Sequence, residues 1–141
     1  ILLSIAVVRM HMQDEILKLE KRKERKMLFV CYPKCSTCMK ARKWLEENGK
    51  EYELRDIKTE NPTAEEIEQW WRKRSLPLKR FFNTSGNLYK EMKLKDKLPE
   101  MSEEEQIRLL STDGMLVKRP ILVDGDKVVV GFREKEWEEN I

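Results

Sequence analysis

Met27-Leu-Phe-Val-Cys-Tyr-Pro-Lys-Cys-Ser-Thr-Cys-Met-Lys-Ala-Arg-Lys-Trp-Leu45 decides the reading of this chain. Its first part, Met27–Tyr32, is an apolar run rich in strand formers and bounded by Pro33, the pattern of a buried strand. From Ser36 the period changes. Cys38, Ala41 and Leu45 recur at i, i+3 and i+7 and Gly49 supplies a stop, which predicts a helix over Ser36–Asn48. Cys35 and Cys38 therefore lie where a tight turn feeds a helix. A helix start exposes unpaired amides and the positive end of the peptide dipole, so a thiolate placed there is stabilised.

Outward from this stretch, Glu51–Arg55 reads as a second strand, completing a β-α-β unit with parallel strands and the helix on one face. Thr63 with Glu66 forms a capping box, and Pro62 is placed to staple onto Ile67. The helix they open presents Ile67, Trp70 and Trp71 and runs to about Arg74. Leu78–Phe82 and Leu88–Met92 are short helical pieces around the polar turn Asn83-Thr-Ser-Gly86. Ser102 with Glu105 makes a second capping box for a helix ending near Ser111, before Asp113-Gly114. Pro120–Val123 and Lys127–Val130 flank Asp124-Gly125-Asp126, a hairpin signal, and Arg133–Asn140 reads as a final helix. The order β-α-β, helical insertion, β-β-α is that of an α/β, thioredoxin-like fold with a mixed sheet.

Length predicts a single domain with a real core of its own. The net charge of +3 belongs wholly to residues 1–26, which hold seven basic and four acidic residues; residues 27–141 are neutral. A neutral domain carries no electrostatic footprint for nucleic acid or an anionic membrane, so neither is expected as a partner. Residues 1–26 are set apart as an N-terminal extension. The apolar run at residues 1–8 is too short to span a bilayer and lacks the preceding charges of a signal peptide. The charged run Lys18–Lys26 reads either as translation of a purine-rich region upstream of the true start or as an amphipathic partner helix.

All three cysteines fall within eight residues, which cannot staple a fold and points to a reducing, cytoplasmic setting. The Cys35-Ser-Thr-Cys38 spacing suits a redox pair, one thiol exposed and the other resolving it from one turn inside. Zinc needs two more ligands than this pair supplies, and the sole histidine, His11, lies in the extension. Cys31, Cys35 and Cys38 also match the spacing of a radical-enzyme iron–sulfur cluster, but Cys31 falls inside a strand-like run and reads as a small buried hydrophobe. No metal or other cofactor is expected. The four tryptophans read as core.

Lys118-Arg119-Pro120 opens the third strand. In a thioredoxin-like sheet that position comes beside the cysteine loop, and a cis proline there aims the preceding backbone at a substrate. Arg119 would set a fixed positive charge near the thiol and grip an oxyanion or carboxylate in bidentate fashion. Ser36 and Thr37 would offer loop amides to the same anion, and Lys34 would add local charge.

With these features placed, the chain from Met27 to Ile141 resembles the arsenate reductase (ArsC)/Spx family of thioredoxin-fold proteins, and within it the YusI-type subgroup. The resemblance rests on Tyr32-Pro-Lys-Cys-Ser-Thr-Cys-Met-Lys-Ala41, Phe81-Phe-Asn-Thr-Ser-Gly86, Asp113-Gly-Met-Leu-Val-Lys-Arg-Pro120 and Val130-Gly-Phe132. It implies that Cys35 is the cysteine that attacks the oxyanion, that Arg119 is the arginine before the cis proline (Pro120), and that Arg133 is the arginine near the last helix. The family arginine carried by the insertion falls near Asn83, so one member of the oxyanion cage is missing. Arsenate reductases of this kind commonly lack the second cysteine and release arsenite through glutathione and glutaredoxin, whereas Cys38 is present here.

Spx-type regulators share the cysteine pair and the arginine-proline but dock on the RNA polymerase α subunit through a surface that includes a glycine in the insertion. The corresponding stretch, Arg74–Arg80, has none, and the chain stops after its last helix without the tail such regulators often carry. The resemblance thus implies an arsenate-reductase-like thiol–disulfide oxidoreductase, its reaction thiol–disulfide exchange or oxyanion reduction, regenerated by a low-molecular-weight thiol or by a thioredoxin- or glutaredoxin-like protein. The alternative is a redox-sensing regulator bound to polymerase α.

Overall fold

The computed structural model describes residues 8–18 and 27–141. Residues 8–18 form a helix, α1. Most of the charged run at 18–26 and of the apolar run at 1–8 lies outside the described residues.

Four strands form one mixed sheet in the order β2-β1-β3-β4: β1 Met27–Cys31, β2 Tyr52–Asp56, β3 Ile121–Asp124 and β4 Lys127–Val130. β1 and β2 run parallel, joined by α2 (Ser36–Glu47); β3 is antiparallel to both β1 and β4. The remaining helices are α3 (Ala64–Lys73), α4 (Asn87–Glu91), α5 (Leu94–Lys97), α6 (Glu103–Thr112) and α7 (Glu134–Asn140). Short 3-10 turns cover Leu78–Phe81, Leu98–Glu100 and Gly114–Leu116.

Strand alternation divides the core in two. Phe29 and Cys31 of β1, Leu122 of β3 and Val129 of β4 pack with α2 and α7. Val30, Ile121 and Val128, offset by one residue, pack with the insertion helices on the other face. Adjacent strand residues face opposite ways, so strands covered on both sides must be apolar at consecutive positions. That is why Met27–Cys31 reads as an unbroken apolar run rather than an alternating one.

The thioredoxin-like order expected from the sequence is present, with shifts of one or two residues at element ends. Asn48 caps α2 rather than extending it, and the second strand spans Tyr52–Asp56 rather than Glu51–Arg55. The Thr63–Glu66 capping box is complete in both directions. At α6 only half the expected box forms: Ser102 Oγ accepts from the Glu105 amide and donates to the Glu105 carboxylate, which leaves the cap's own backbone N–H outside the motif. Trp44, Trp70 and Trp137 are core as expected. Trp71 is only half-buried and donates its indole N–H to the Leu76 carbonyl at 3.0 Å, so it braces the loop after α3. The sequence reading did not include α5 or the turn after it. Lys93 enters α5 in the left-handed conformation (φ 54°) without a side-chain cap, so no local signal marks the start.

Two contacts stitch the insertion to the end of β2. Arg55 makes a two-pronged pair with Glu66 of α3, Nη1 to Oε2 at 2.5 Å and Nη2 to Oε1 at 2.9 Å, and also donates to the Glu60 and Asn61 carbonyls. Gly114 lies so close to the Ile57 carbonyl that a Cβ there would stand 1.7 Å from the oxygen, and only a residue without one fits.

Gly114→Ala is expected to cost about 3 kcal/mol through backbone overpacking, read as a lowered midpoint in denaturant unfolding. Arg55 holds the Glu66 carboxyl below the usual carboxylate range, chiefly by hydrogen bonding. A depressed folded value contributes stability that is full above the unfolded value of about 4.3 and is lost as pH falls through the folded one. Glu66→Gln should therefore remove about 1 kcal/mol at neutral pH and nothing at the acid end, so that the two unfolding curves converge below about pH 4.

Candidate active site

Tyr32, Pro33, Lys34 and Cys35 make a turn closed by the Cys35 amide on the Tyr32 carbonyl at 2.9 Å. Cys35 is the N-cap of α2, with extended dihedrals (φ −89°, ψ 125°), and its side chain makes no cap bond, so the sulfur is free of the helix it begins. No acidic residue lies in the first turn of α2. Cys35 is half-buried, whereas Cys38, one turn inside, is only 1% exposed. All three cysteines are free thiols.

The Tyr32 amide donates to Cys38 Sγ at 3.3 Å. Cys38 also lies within hydrogen-bonding reach of both Cys31 and Cys35. Its thiol is pushed far above the ordinary cysteine value, first by the hydrogen bond with Cys31 and then by burial. The pair thus consists of an accessible sulfur and a buried one held protonated.

A cavity of about 1250 Å³ opens at Cys35 between the sheet and the insertion. It brings together five residues singled out from the sequence: Cys35, Thr37, Asn83, Arg119 and Arg133. Lys34 on the turn and Ser36 at the start of α2 are exposed and do not line it. Pro120 is buried behind it, the Arg119–Pro120 peptide is cis, and the Pro120 carbonyl accepts from the Gly131 amide at 2.7 Å.

Arg119 stacks on Tyr32, its guanidinium carbon 5.3 Å from the ring centroid. Its Nε and Nη1 are buried, and neither has a hydrogen-bond partner among the described residues. A buried donor without an acceptor is costly, so these two nitrogens are unspent donors beside the cavity. Arg133 is exposed at the N-cap of α7. Asn83 is fixed by its amide on the Leu116 carbonyl at 2.7 Å, and its side chain lies over Gly86.

The cavity wall also contains Arg74, Lys79, Arg80 and Lys118, which the sequence reading did not select. Arg74 is paired with Glu136 of α7, a contact that joins the insertion to the last helix. Glu91 and Asp113 are the other acidic residues of the wall, so positive charge is in excess. The Lys79-Arg80 and Lys118-Arg119 dipeptides were the local signals of basic character, and neither says which cavity it lines. α7 is seated by Trp137, which is fully buried, meets Phe29, Trp44 and Phe132 edge-on and donates to the Gly131 carbonyl at 3.0 Å. Gly131 accepts that bond with φ at 81°, a conformation glycine tolerates without cost.

A sequence model of the ArsC family matches residues 31–140. The chain belongs to the ArsC family. It is 54% identical over 114 residues to the uncharacterised protein YusI of Bacillus subtilis (strain 168), an alignment covering 81% of this chain and 97% of that one. Among solved structures, an ArsC-family-related protein from Bacteroides fragilis is 57% identical, with a TM-score of 0.80 over 82% of this chain and 98% of the other. The global transcriptional regulator Spx of Bacillus subtilis (strain 168) is more distant, 31% identical over 104 residues, or 74% of this chain and 78% of that one. The ArsC-family frame therefore serves proteins with different named roles. Among the described residues no helix is long and apolar enough to cross a membrane, and no cluster of His, Cys, Asp and Glu could hold a metal ion.

The difference in burial between the two sulfurs predicts selective modification. A brief pulse of iodoacetamide on native protein, followed by peptide mass spectrometry, should label Cys35 at least about ten-fold faster than Cys38 or Cys31. Equal labelling would contradict the exposure pattern.

Proposed function

We propose that this protein is a thiol–disulfide oxidoreductase for anionic substrates, with Cys35 as nucleophile, Cys38 as resolving thiol and Arg119 as anion-binding group. The observation that carries the reading is the half-buried Arg119, whose Nε and Nη1 are buried without an acceptor among the described residues and which lines the same cavity as Cys35. Charge-assisted contacts of a guanidinium to a carboxylate or oxyanion are among the stronger hydrogen bonds, and they fix orientation as well as affinity.

In this reading Cys35 Sγ attacks one sulfur of the substrate disulfide. A new sulfur–sulfur bond forms, the substrate bond breaks, and the departing thiol carries away the electron pair. Cys38 then attacks Cys35 Sγ, giving up its proton to the second leaving thiolate and closing a Cys35–Cys38 disulfide. A low-molecular-weight thiol or a thioredoxin- or glutaredoxin-like protein reduces that disulfide. Keeping Cys38 protonated and buried until the mixed disulfide forms leaves Cys35 to meet the substrate first.

The same thiol and arginine suit reduction of an oxyanion. Two features favour the disulfide: the family resemblance puts the insertion arginine of its arsenate reductases near Asn83, and the cavity has far more room than a tetrahedral oxyanion fills. The basic lining from Lys79, Arg80, Lys118 and Arg133 suits a larger substrate with several negative groups.

The likeness to Spx supports a second reading, in which the cysteine pair is a sensor and the protein binds the RNA polymerase α subunit. Capture of purified α subunit by the oxidised but not the reduced protein would replace the enzymatic reading with this one.

Dithiobis(nitrobenzoate), a disulfide with two carboxylates, tests the enzymatic reading directly. Reduced wild-type protein should release both nitrothiobenzoate halves in two steps, whereas Cys38→Ser should release only the first and keep the second as a stable Cys35 adduct. Arg119→Met should slow the first release by about 10²-fold and leave reaction with the neutral hydroxyethyl disulfide nearly unchanged. Equal slowing with both reagents would remove Arg119 from the proposed role.

A further inference from the structure

Cys31 is a third thiol that the preceding scheme does not use. It ends β1 and is buried among Phe29, Ala41, Leu45 and Trp137, where an inert small hydrophobe would serve equally well. Its surroundings single it out. Cys38 packs in the same cluster, its sulfur accepts the amide of Tyr32, the residue after Cys31, and each of the two thiols shifts the other's titration. Cys38 is simultaneously within reach of Cys35. The three sulfurs therefore form a chain with Cys38 in the middle, leading from the half-buried cavity wall to the core.

We propose that Cys31 is a second resolving thiol, which attacks Cys38 in the oxidised protein and transfers the disulfide inward from Cys35–Cys38 to Cys31–Cys38. This step rests on the proposed roles of Cys35 and Cys38. The bond between the Cys31 and Cys38 sulfurs forms as the bond between Cys35 and Cys38 breaks. The electron pair leaves on Cys35, which takes up the proton that Cys31 gives up. Nothing is oxidised or reduced overall, so no further reagent is needed. Thiol–disulfide exchange requires the attacking sulfur to reach the central sulfur, and here the two thiols are packed in one buried cluster, with Cys38 Sγ on the amide that follows Cys31. Moving the disulfide inward restores a free Cys35 at the cavity. The oxidised protein then keeps an accessible nucleophile while its oxidising equivalents are stored out of solvent.

Trypsin separates the candidates cleanly. Cleavage after Lys34 and Lys40 puts Cys31 on peptide 27–34 and both Cys35 and Cys38 on peptide 35–40. A Cys35–Cys38 disulfide is then a loop within one peptide, and a Cys31–Cys38 disulfide is a cross-link between two. Native protein is oxidised with diamide, its free thiols are blocked with N-ethylmaleimide, and the unreduced digest is analysed by mass spectrometry. In Cys35→Ser, most molecules should give the cross-linked pair; recovery of Cys31 and Cys38 only as maleimide adducts would overturn the inference. A second arm needs no change at Cys35: oxidised wild-type protein should still take up iodoacetamide at Cys35, and oxidised Cys31→Ala should not. Equal protection of Cys35 in both would likewise overturn it. The looped peptide in wild type without any cross-link would sink this step alone, whereas absence of both species would sink the resolving role of Cys38 with it.

Discussion

Phe29 and Val30 are neighbours on β1, point to opposite faces of the sheet, and are both fully buried. Covering a central strand on both sides requires α2 and α7 on one face and the insertion on the other, and this double packing determines where the chain can go next. β1 ends at Cys31, and the only exit is the turn through Tyr32 and Pro33 that delivers Cys35 to the start of α2. Both outcomes useful to a thiol site follow. The first sulfur emerges beyond the C-terminal end of β1, next to the cavity, and the second returns one helical turn later into the core beside the strand it left.

The insertion is held to this frame by few but specific contacts. The Arg55–Glu66 pair and the close approach of Gly114 to Ile57 anchor its two ends near the C-terminal end of β2. A bridge between Phe82 and Val117, with the Lys118 amide on the Phe81 carbonyl, lays its middle along the approach to β3. That segment continues directly into Arg119. Packing of the insertion and placement of the Arg119 guanidinium are therefore parts of one arrangement, and disturbance of the first is felt at the second.

How far the sequence disclosed this follows from the range over which each signal acts. The β-α-β start, the Asp124-Gly125-Asp126 hairpin and the Thr63–Glu66 cap are written in residues only a few positions apart, and those features are present in the structure. Cys35 and Arg119 were brought together by the expected order of the sheet, and Asn83 and Arg133 by the family likeness; all four line one cavity. The entry of Arg74, Lys79, Arg80 and Lys118 into the same wall depends on how the insertion folds over the sheet, which no short window records. The contact of Cys31 with Cys38 is of the same kind: seven positions apart and on different elements, they meet only because α2 packs on β1. Helix α5 was missed for the opposite reason, since its Lys-rich segment has neither a cap nor a sharp apolar period.

The cavity wall has two owners. The sulfur and the stacked arginine come from the sheet and its immediate connections, whereas Asn83, Arg80 and the polar turn to Asn87 come from the insertion. Substitutions in the insertion can therefore alter which molecule is admitted while the reacting atoms keep their positions. Surface residues of the insertion can thus change while the strand, turn and helix that hold the thiol stay as they are. An ArsC-family protein and a transcriptional regulator built on the same frame are what such a separation of parts would produce.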